Sequence, residues 1–90
     1  MKAYRWDPEK DRFLREKRGI GFGNVLAGVL AGKVLDDIGH PHPHRYPNQR
    51  VLIIEIDQYA YLVPYAESEQ EIFWKTIIPS RKMTRKYLKR

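Results

Sequence analysis

The densest run of side chains able to do chemistry lies near the end of the sequence, where residues 75–87 bring Lys75, Ser80, Arg81, Lys82, Arg85, Lys86 and Tyr87 close together. Cations, a hydroxyl and an aromatic ring in this pattern suit a polyanionic substrate. RNA is cut without a metal when its own 2′-hydroxyl attacks the adjacent phosphate, so a protein has mainly to orient the backbone and stabilise charge on the phosphorane. Guanidinium and ammonium groups perform that task, and no protein nucleophile is needed. Lys75 is the candidate for charge stabilisation or proton transfer, the second role requiring burial to lower its pKa. Tyr87 is a candidate to stack on a base or donate its hydroxyl, with packing against Met83 as the alternative.

Other chemistries leave weaker traces. His40, His42 and His44 alternate with prolines, a spacing that in an extended segment projects imidazoles to one side. No distant third ligand or carboxylate accompanies them, so we expect no resident metal and no cofactor, and keep one histidine open as an acid, a base or a stacking partner. Gly19, Gly21 and Gly23 alternate too, but the sequence places them between two helices rather than after a strand, which favours a turn over a phosphate loop. Cysteine is absent, which removes disulfides, thiolate nucleophiles and Cys-based zinc sites together.

The charge is unevenly distributed. The net +6 sits entirely in the last ten residues, which hold six of the 17 basic side chains and none of the 11 acidic ones. A concentrated positive field attracts and steers polyanions. No apolar run approaches the roughly 18 residues that span a bilayer, and no signal-peptide core follows the N-terminal charges. The expected location is the cytoplasm, and no membrane partner is expected. Ninety residues, 42% of them hydrophobic, suffice for one domain over 1–90 with a small core.

The elements that must position these residues follow from local signals. Asp7 is an N-cap, Pro8 fits the first helical position and Gly19 stops the helix, with Asp11 and Arg15, and Arg12 and Glu16, spaced to pair on its exposed face. Trp6, Phe13, Leu14 and Ile20 are its expected core contacts. Val25, Leu26, Val29 and Leu30 give a second short helix within residues 22–31. Lys33–Ile38 is a candidate to begin the sheet, and Pro41, Pro43 and Pro47 make Gly39–Asn48 a loop. Arg50–Asp57 reads as a strand with Leu52, Ile54 and Ile56 on one face, followed by a tight turn near Gln58 and Tyr59 and a strand over Ala60–Ala66. The alternation over Ile72–Ile78 predicts a strand that carries Lys75 on the face of Phe73 and Ile77, with Pro79 ending the pairing and Ser80 capping a final basic helix. The expected fold class is therefore α+β: two N-terminal helices, an antiparallel sheet of three to four strands and a short C-terminal basic helix.

Two segments also carry a resemblance. Trp6, Asp7, Pro8, Glu9, Lys10, then Leu14, Arg15, Glu16, Lys17, Arg18, Gly19, Ile20 and Phe22, together with Ile77 to Tyr87, resemble the start and end of BrnT-type toxins of type II toxin–antitoxin systems. The resemblance implies a RelE-like fold and an endoribonuclease that cleaves mRNA, free or ribosome-bound, and is neutralised by a cognate DNA-binding antitoxin. Lys17–Arg18–Gly19 stands where that family usually has Lys-His-Gly, and Pro79 where a serine is common, which argues against a histidine-based step at the helix end. Position by position, Arg18 and Arg81 become candidates for phosphate contact beside Lys75 and Tyr87 in the catalytic set. Lys17, Arg50, Lys82, Arg85 and Lys86 are the candidates for RNA binding. The other reading is a non-catalytic nucleic-acid-binding or antitoxin-binding module using the same last helix; a membrane-surface role is weaker because that helix lacks a broad apolar face.

Overall fold

A computed structural model describes residues 2–88 and begins with an element that no periodicity announced. Ala3–Arg5 forms a three-residue strand, β1. Its pairing is parallel, along Glu71–Phe73, so the sheet is mixed rather than purely antiparallel as expected. Strand propensity cannot reveal so short a segment, because its partner lies nearly seventy residues away and supplies the hydrogen bonds.

Helix α1 (Pro8–Arg18) starts and stops where its caps require. The Asp7 carboxylate accepts from the Glu9 amide at 3.0 Å, and Gly19 adopts φ 72°, the left-handed conformation that glycine enters without a Cβ clash. Asp11 does more than pair with Arg15. One of its oxygens accepts from Arg15 Nε at 3.0 Å and the other from the Phe22 amide at 2.7 Å, so Asp11 caps the next helix, α2 (Phe22–Leu30). This contact requires Gly21: a Cβ there would lie under 3 Å from both Asp11 and Arg15.

The chain then runs through β2 (Val34–Gly39), the expected loop, β3 (Gln49–Ile56), β4 (Tyr59–Glu67), β5 (Glu71–Trp74), β6 (Ile78–Pro79) and α3 (Arg81–Leu88). The sheet order is β1-β5-β4-β3-β2, with β6 also on β4. The molecule is thus α+β, with three helices and a mixed six-stranded sheet, two strands or more beyond the sequence expectation. The turn between β3 and β4 is centred on Asp57 and Gln58, one residue earlier than expected, and both have positive φ, the two-residue hairpin geometry that matches strand twist.

The two faces of the sheet are covered by different helices. Leu52, Ile54 and Ile56 of β3 and Val63 and Tyr65 of β4 pack with Leu14, Phe22 and Val25 of α1 and α2. Gly28 permits this close approach, since a Cβ would meet Ile54 Cδ1 at 2.8 Å. A column of stacked rings, Tyr4, Trp74, Trp6 and Phe22, ties β1 and β5 to the same layer. Phe13, expected in the core, is instead 50% exposed: α1 is narrow on its buried side, and Leu14 alone of its residues is fully buried. Leu30 also stays outside, at the fraying end of α2.

The expected strand over Ile72–Ile78 is interrupted. Tyr65 faces Trp74, yet Leu62 faces Ile78, so the later strand carries one residue more than β4 between these pairs. This one-residue bulge lies at Lys75–Ile77 and changes the facing of everything after it. Trp74 and Ile77, which simple alternation sets on opposite faces, are both buried to 1% exposure in the same core. Lys75 is therefore in a bulge rather than a regular strand, its amide bonded to the Pro64 carbonyl at 2.8 Å, and it no longer shares a face with Ile77. Pro79 does not end the pairing: it sits opposite Tyr61, at an edge position where its missing N–H leaves no partner unsatisfied.

On the other face, α3 is fixed to β4 by Thr84. Its buried hydroxyl donates to the Ser80 carbonyl at 2.8 Å and accepts from the Ala60 amide at 2.9 Å. Thr84→Val keeps the shape and removes both bonds, leaving a buried amide without a partner; the expected loss is about 1–3 kcal/mol in urea unfolding, with Thr84→Ser recovering most of it. Equal midpoints for Thr84→Val and the parent chain would remove this contact from the account of α3.

Candidate nucleic-acid interface

The cations of α3 begin where β6 ends. Ser80 caps the helix, its Oγ accepting from the Met83 amide at 3.1 Å, while its own amide donates to the Ala60 carbonyl at 3.0 Å. Arg81 and Lys82 thereby occupy the first helical turn, next to the Pro79–Tyr61 pair. Arg81, Lys82, Arg85 and Lys86 are all exposed, and among the described residues none of them forms a salt bridge. Lys89 and Arg90, counted in the C-terminal charge, lie outside the described residues.

Arg85 and Lys86 in the last turn suit the helix dipole, but the placement of Arg81 and Lys82 works against the helix. The N-terminal turn carries the positive end of the helix dipole, which favours acids, and each misplaced cation there costs about 0.3–1 kcal/mol at an exposed site. The first turn of α3 has no acid. An anion bound at this turn relieves the conflict, because free amides, dipole and side-chain charge then all act in its favour.

Arg18 reaches the same end of the sheet from the opposite face. Its positive charge acts on the Tyr61 hydroxyl, and Tyr61 pairs with Pro79 two residues before Arg81. Burial raises the Tyr61 pKa most, with Asp57 and Tyr59 adding to the effect and Arg18 opposing it. The phenol thus keeps its proton at neutral pH. The sequence reading did not select Tyr61 or Tyr59; alternation after the hairpin turn puts both on one face, but nothing in spacing links them to Arg18, more than forty positions earlier.

Other candidates are distributed elsewhere. Lys75 is exposed at the bulge beside Pro64, about 10 Å along β4 from Tyr61. Lys17 is exposed on α1, near Phe13. Arg50 stands at the opposite end of the sheet, where its Nε donates to Asp37 at 3.0 Å and a second guanidinium nitrogen donates to the Asp37 carbonyl at 3.0 Å. The Tyr65 hydroxyl donates to the other Asp37 oxygen at 2.6 Å. Hydrogen bonding to Asp37 holds the Arg50 pKa above its ordinary value, so this charge is locally balanced.

Tyr87 is not free either. Its hydroxyl donates to Asp36 at 2.5 Å, which carries the C-terminal turn of α3 over to β2, and Lys86 lies close enough to help hold the Asp36 carboxylate charged. A register shift between Val34 and Asp36 accompanies the arrangement in which neighbouring aspartates serve tyrosines from different elements, Tyr87 of α3 and Tyr65 of β4. Neither aspartate was singled out in the sequence, where both fall within the candidate strand Lys33–Ile38.

The histidine segment does not remain extended. His40 stacks on Tyr46 with ring centroids 4.4 Å apart, and its Nδ1 accepts from the His42 amide at 3.0 Å. A turn follows at residues 43–45, and among the described residues no three His, Cys, Asp or Glu side chains gather as a group able to hold a metal. His40, Tyr46, Gln49, Arg50 and Lys2 line an open groove of about 540 Å³ at the end of the sheet remote from Arg81. No helix among the described residues is long and apolar enough to cross a membrane. Compared with protein-family models, with curated proteins and with solved structures, the chain matches none of them.

The tyrosine–aspartate bonds give a pH test. Hydrogen bonding to Asp36 raises the Tyr87 pKa, and burial followed by the Asp37 bond raises that of Tyr65, both above the ordinary value near 10. The folded chain keeps phenol protons that the unfolded chain has released, so this contribution is complete below pH 10 and is lost as pH rises through the folded values. Asp36 behaves oppositely: the Tyr87 bond lowers its pKa, and its contribution disappears as pH falls below the ordinary carboxylate range. Denaturation midpoints should fall above pH 10 in the parent chain and fall less steeply in the Tyr65→Phe/Tyr87→Phe double variant, where of the three raised phenols Tyr61 alone still contributes. Parallel alkaline limbs in the two proteins would contradict the assignment.

Proposed function

We propose that this chain is a metal-independent endoribonuclease with a RelE-like arrangement, acting as the toxin of a type II toxin–antitoxin pair in the bacterial cytoplasm. The observation that carries the reading is the set of exposed, unbridged cations on α3, two of which, Arg81 and Lys82, occupy the first turn, where the helix dipole disfavours them. Such a charge distribution is unfavourable for an isolated fold and favourable for phosphate binding. The BrnT-like segments Trp6–Phe22 and Ile77–Tyr87 supply α1 with its C-terminal Arg18, whose charge acts on Tyr61, and α3 with its N-terminal Arg81, two residues after the Pro79 that pairs with Tyr61.

In this reading the RNA 2′-hydroxyl gives its proton to solvent water as its oxygen bonds to the adjacent phosphorus, and the bond to the 5′-oxygen breaks as that oxygen takes up a proton. The products are a 2′,3′-cyclic phosphate and a 5′-hydroxyl end. Arg81 and Arg18 hold the non-bridging oxygens, Lys82 and Arg85 track the neighbouring phosphates, and the protonated Tyr61 hydroxyl is placed to donate to the leaving oxygen. Lys75, about 10 Å away at the bulge, is left out of the reacting centre. The cognate antitoxin blocks activity by covering α3 and the adjoining sheet end. A second reading, a binding module without catalysis, draws support from the engagement of Tyr87 with Asp36 and of Arg50 with Asp37, which removes two expected participants from the cationic end.

Labelled single-stranded RNA incubated with the protein in excess EDTA, beside Arg81→Ala, tests the proposal. Scission leaving 2′,3′-cyclic phosphate should occur and fall about 10²-fold or more in the variant, the usual effect of removing one charge-stabilising donor. Salt-sensitive binding with no scission, with and without added ribosomes, would sink the nuclease reading and leave the module. A companion substitution separates binding from folding. Lys82→Glu should stabilise α3 by about 0.3–1 kcal/mol, raising the melting temperature by a few degrees, while weakening RNA binding.

A further inference from the structure

Phe13 is a large apolar ring on the polar side of α1. It is 50% exposed, whereas the neighbouring Leu14 carries the helix's contact with the core. Single exposed apolar residues are common and mean little alone. Here the surroundings are specific. Lys10 and Lys17 stand one turn before and after Phe13, and their Nζ atoms lie 5.5 and 6.0 Å from its ring centroid. Among the described residues neither lysine forms a salt bridge.

Helical spacing places both lysines on one flank of the ring, while Glu9 and Glu16 fall on the other flank. This asymmetry discriminates between partners. An acidic protein segment laid across Phe13 meets two glutamates as well as two lysines, so its charge gains little. A nucleotide has the matching asymmetry, with phosphates on one side of the base and, for adenine, cytosine and guanine, an amino group on the other. Stacking of a base on an aromatic ring also outweighs an exposed cation–π contact, so an incoming base displaces the ammonium groups from the ring onto the phosphates.

We propose that Phe13, Lys10 and Lys17 form a base-stacking platform for single-stranded RNA, with the ring taking the base and the lysines taking the flanking phosphates. The platform rests on the RNA-cleaving reading of α3 and assigns it a second subsite. Lys17 leads directly to Arg18, which acts on Tyr61 at the cationic end of the sheet. From Phe13 to Arg18 the rise along α1 is about 7.5 Å and the rotation about 140°, so on a helix about 10–12 Å across the two side chains stand roughly 12–13 Å apart. RNA held at Arg81 and Arg18 therefore reaches Phe13 by passing around the side of α1, with a nearby nucleotide beyond the immediately adjacent one.

The test uses the full chain and single-stranded 2′-O-methyl oligonucleotides, which cannot be cut by their own 2′-hydroxyl, each carrying one 2-aminopurine at a different position. Binding should quench fluorescence at one position. Phe13→Ala should abolish that quenching and weaken binding about tenfold or more, Phe13→Trp should retain both, and Lys17→Gln should keep the quenching while weakening binding and lowering its salt dependence. Circular dichroism should be unchanged in all three, since Phe13 and Lys17 lie outside the core. If Phe13→Ala binds and quenches like the parent while Arg81→Ala loses binding, the platform is overturned and the α3 reading stands. If the parent chain binds none of the oligonucleotides, both are overturned.

Discussion

The Ala60 peptide is the joint on which the arrangement of α3 depends. It lies near the start of β4, and strand β3 faces it across the hairpin without consuming its hydrogen bonds on the far side. Its amide goes to Thr84 and its carbonyl receives the Ser80 amide. Both main-chain groups of one residue are thus closed by α3, one by a side chain within the helix and the other by the amide of its capping residue. A buried peptide left open would cost about as much as a lost hydrogen bond, so the register of α3 on β4 is strongly specified. Because Ser80 also caps the helix, the interaction that satisfies the sheet edge fixes where Arg81 begins.

Irregular strands decide which side chains share a face. Without the extra residue at Lys75–Ile77, burying Trp74 would send Ile77 to the opposite side of the sheet, and the pairing of Leu62 with Ile78 would be lost. The shift between Val34 and Asp36 has a similar effect at the other edge, where Asp36 and Asp37 serve Tyr87 and Tyr65. Packing is the driving force in the first case. Trp74 and Ile77 are large apolar side chains whose burial outweighs a locally broken ladder.

The electrostatics divide the molecule into two ends. Around Asp37 the charges are paired and hydrogen bonded: Arg50, Tyr65 and Asp37 satisfy one another. Around Ser80 and Tyr61 they are not, and Arg81, Lys82 and Arg85 stay exposed without carboxylates. Surface cations of this kind contribute little to folding and carry a self-repulsion cost. The contrast separates residues that hold the sheet from residues available to a polyanion, although both sets contain arginines.

The sequence by itself determined the features that depend on near neighbours. The caps at Asp7 and Gly19, the helix over Pro8–Arg18, the β3–β4 hairpin, the proline loop and the basic last helix capped by Ser80 all follow from interactions within a few residues, where propensity and spacing act directly. The cationic half of the candidate site was legible for the same reason, since Arg81 to Lys86 are consecutive turns of one helix. Only tertiary structure decided the rest. Strand β1 exists because β5 offers it hydrogen bonds, Phe13 is exposed because α1 buries only a narrow stripe, and the Lys75 bulge forms because two separated apolar residues are both needed in one core. Tyr61 joins Arg18, and Tyr87 joins Asp36, across sequence separations that no local pattern encodes. Their partnership is set by which strands meet, and that is settled by long-range burial and hydrogen-bond satisfaction rather than by the residues on either side.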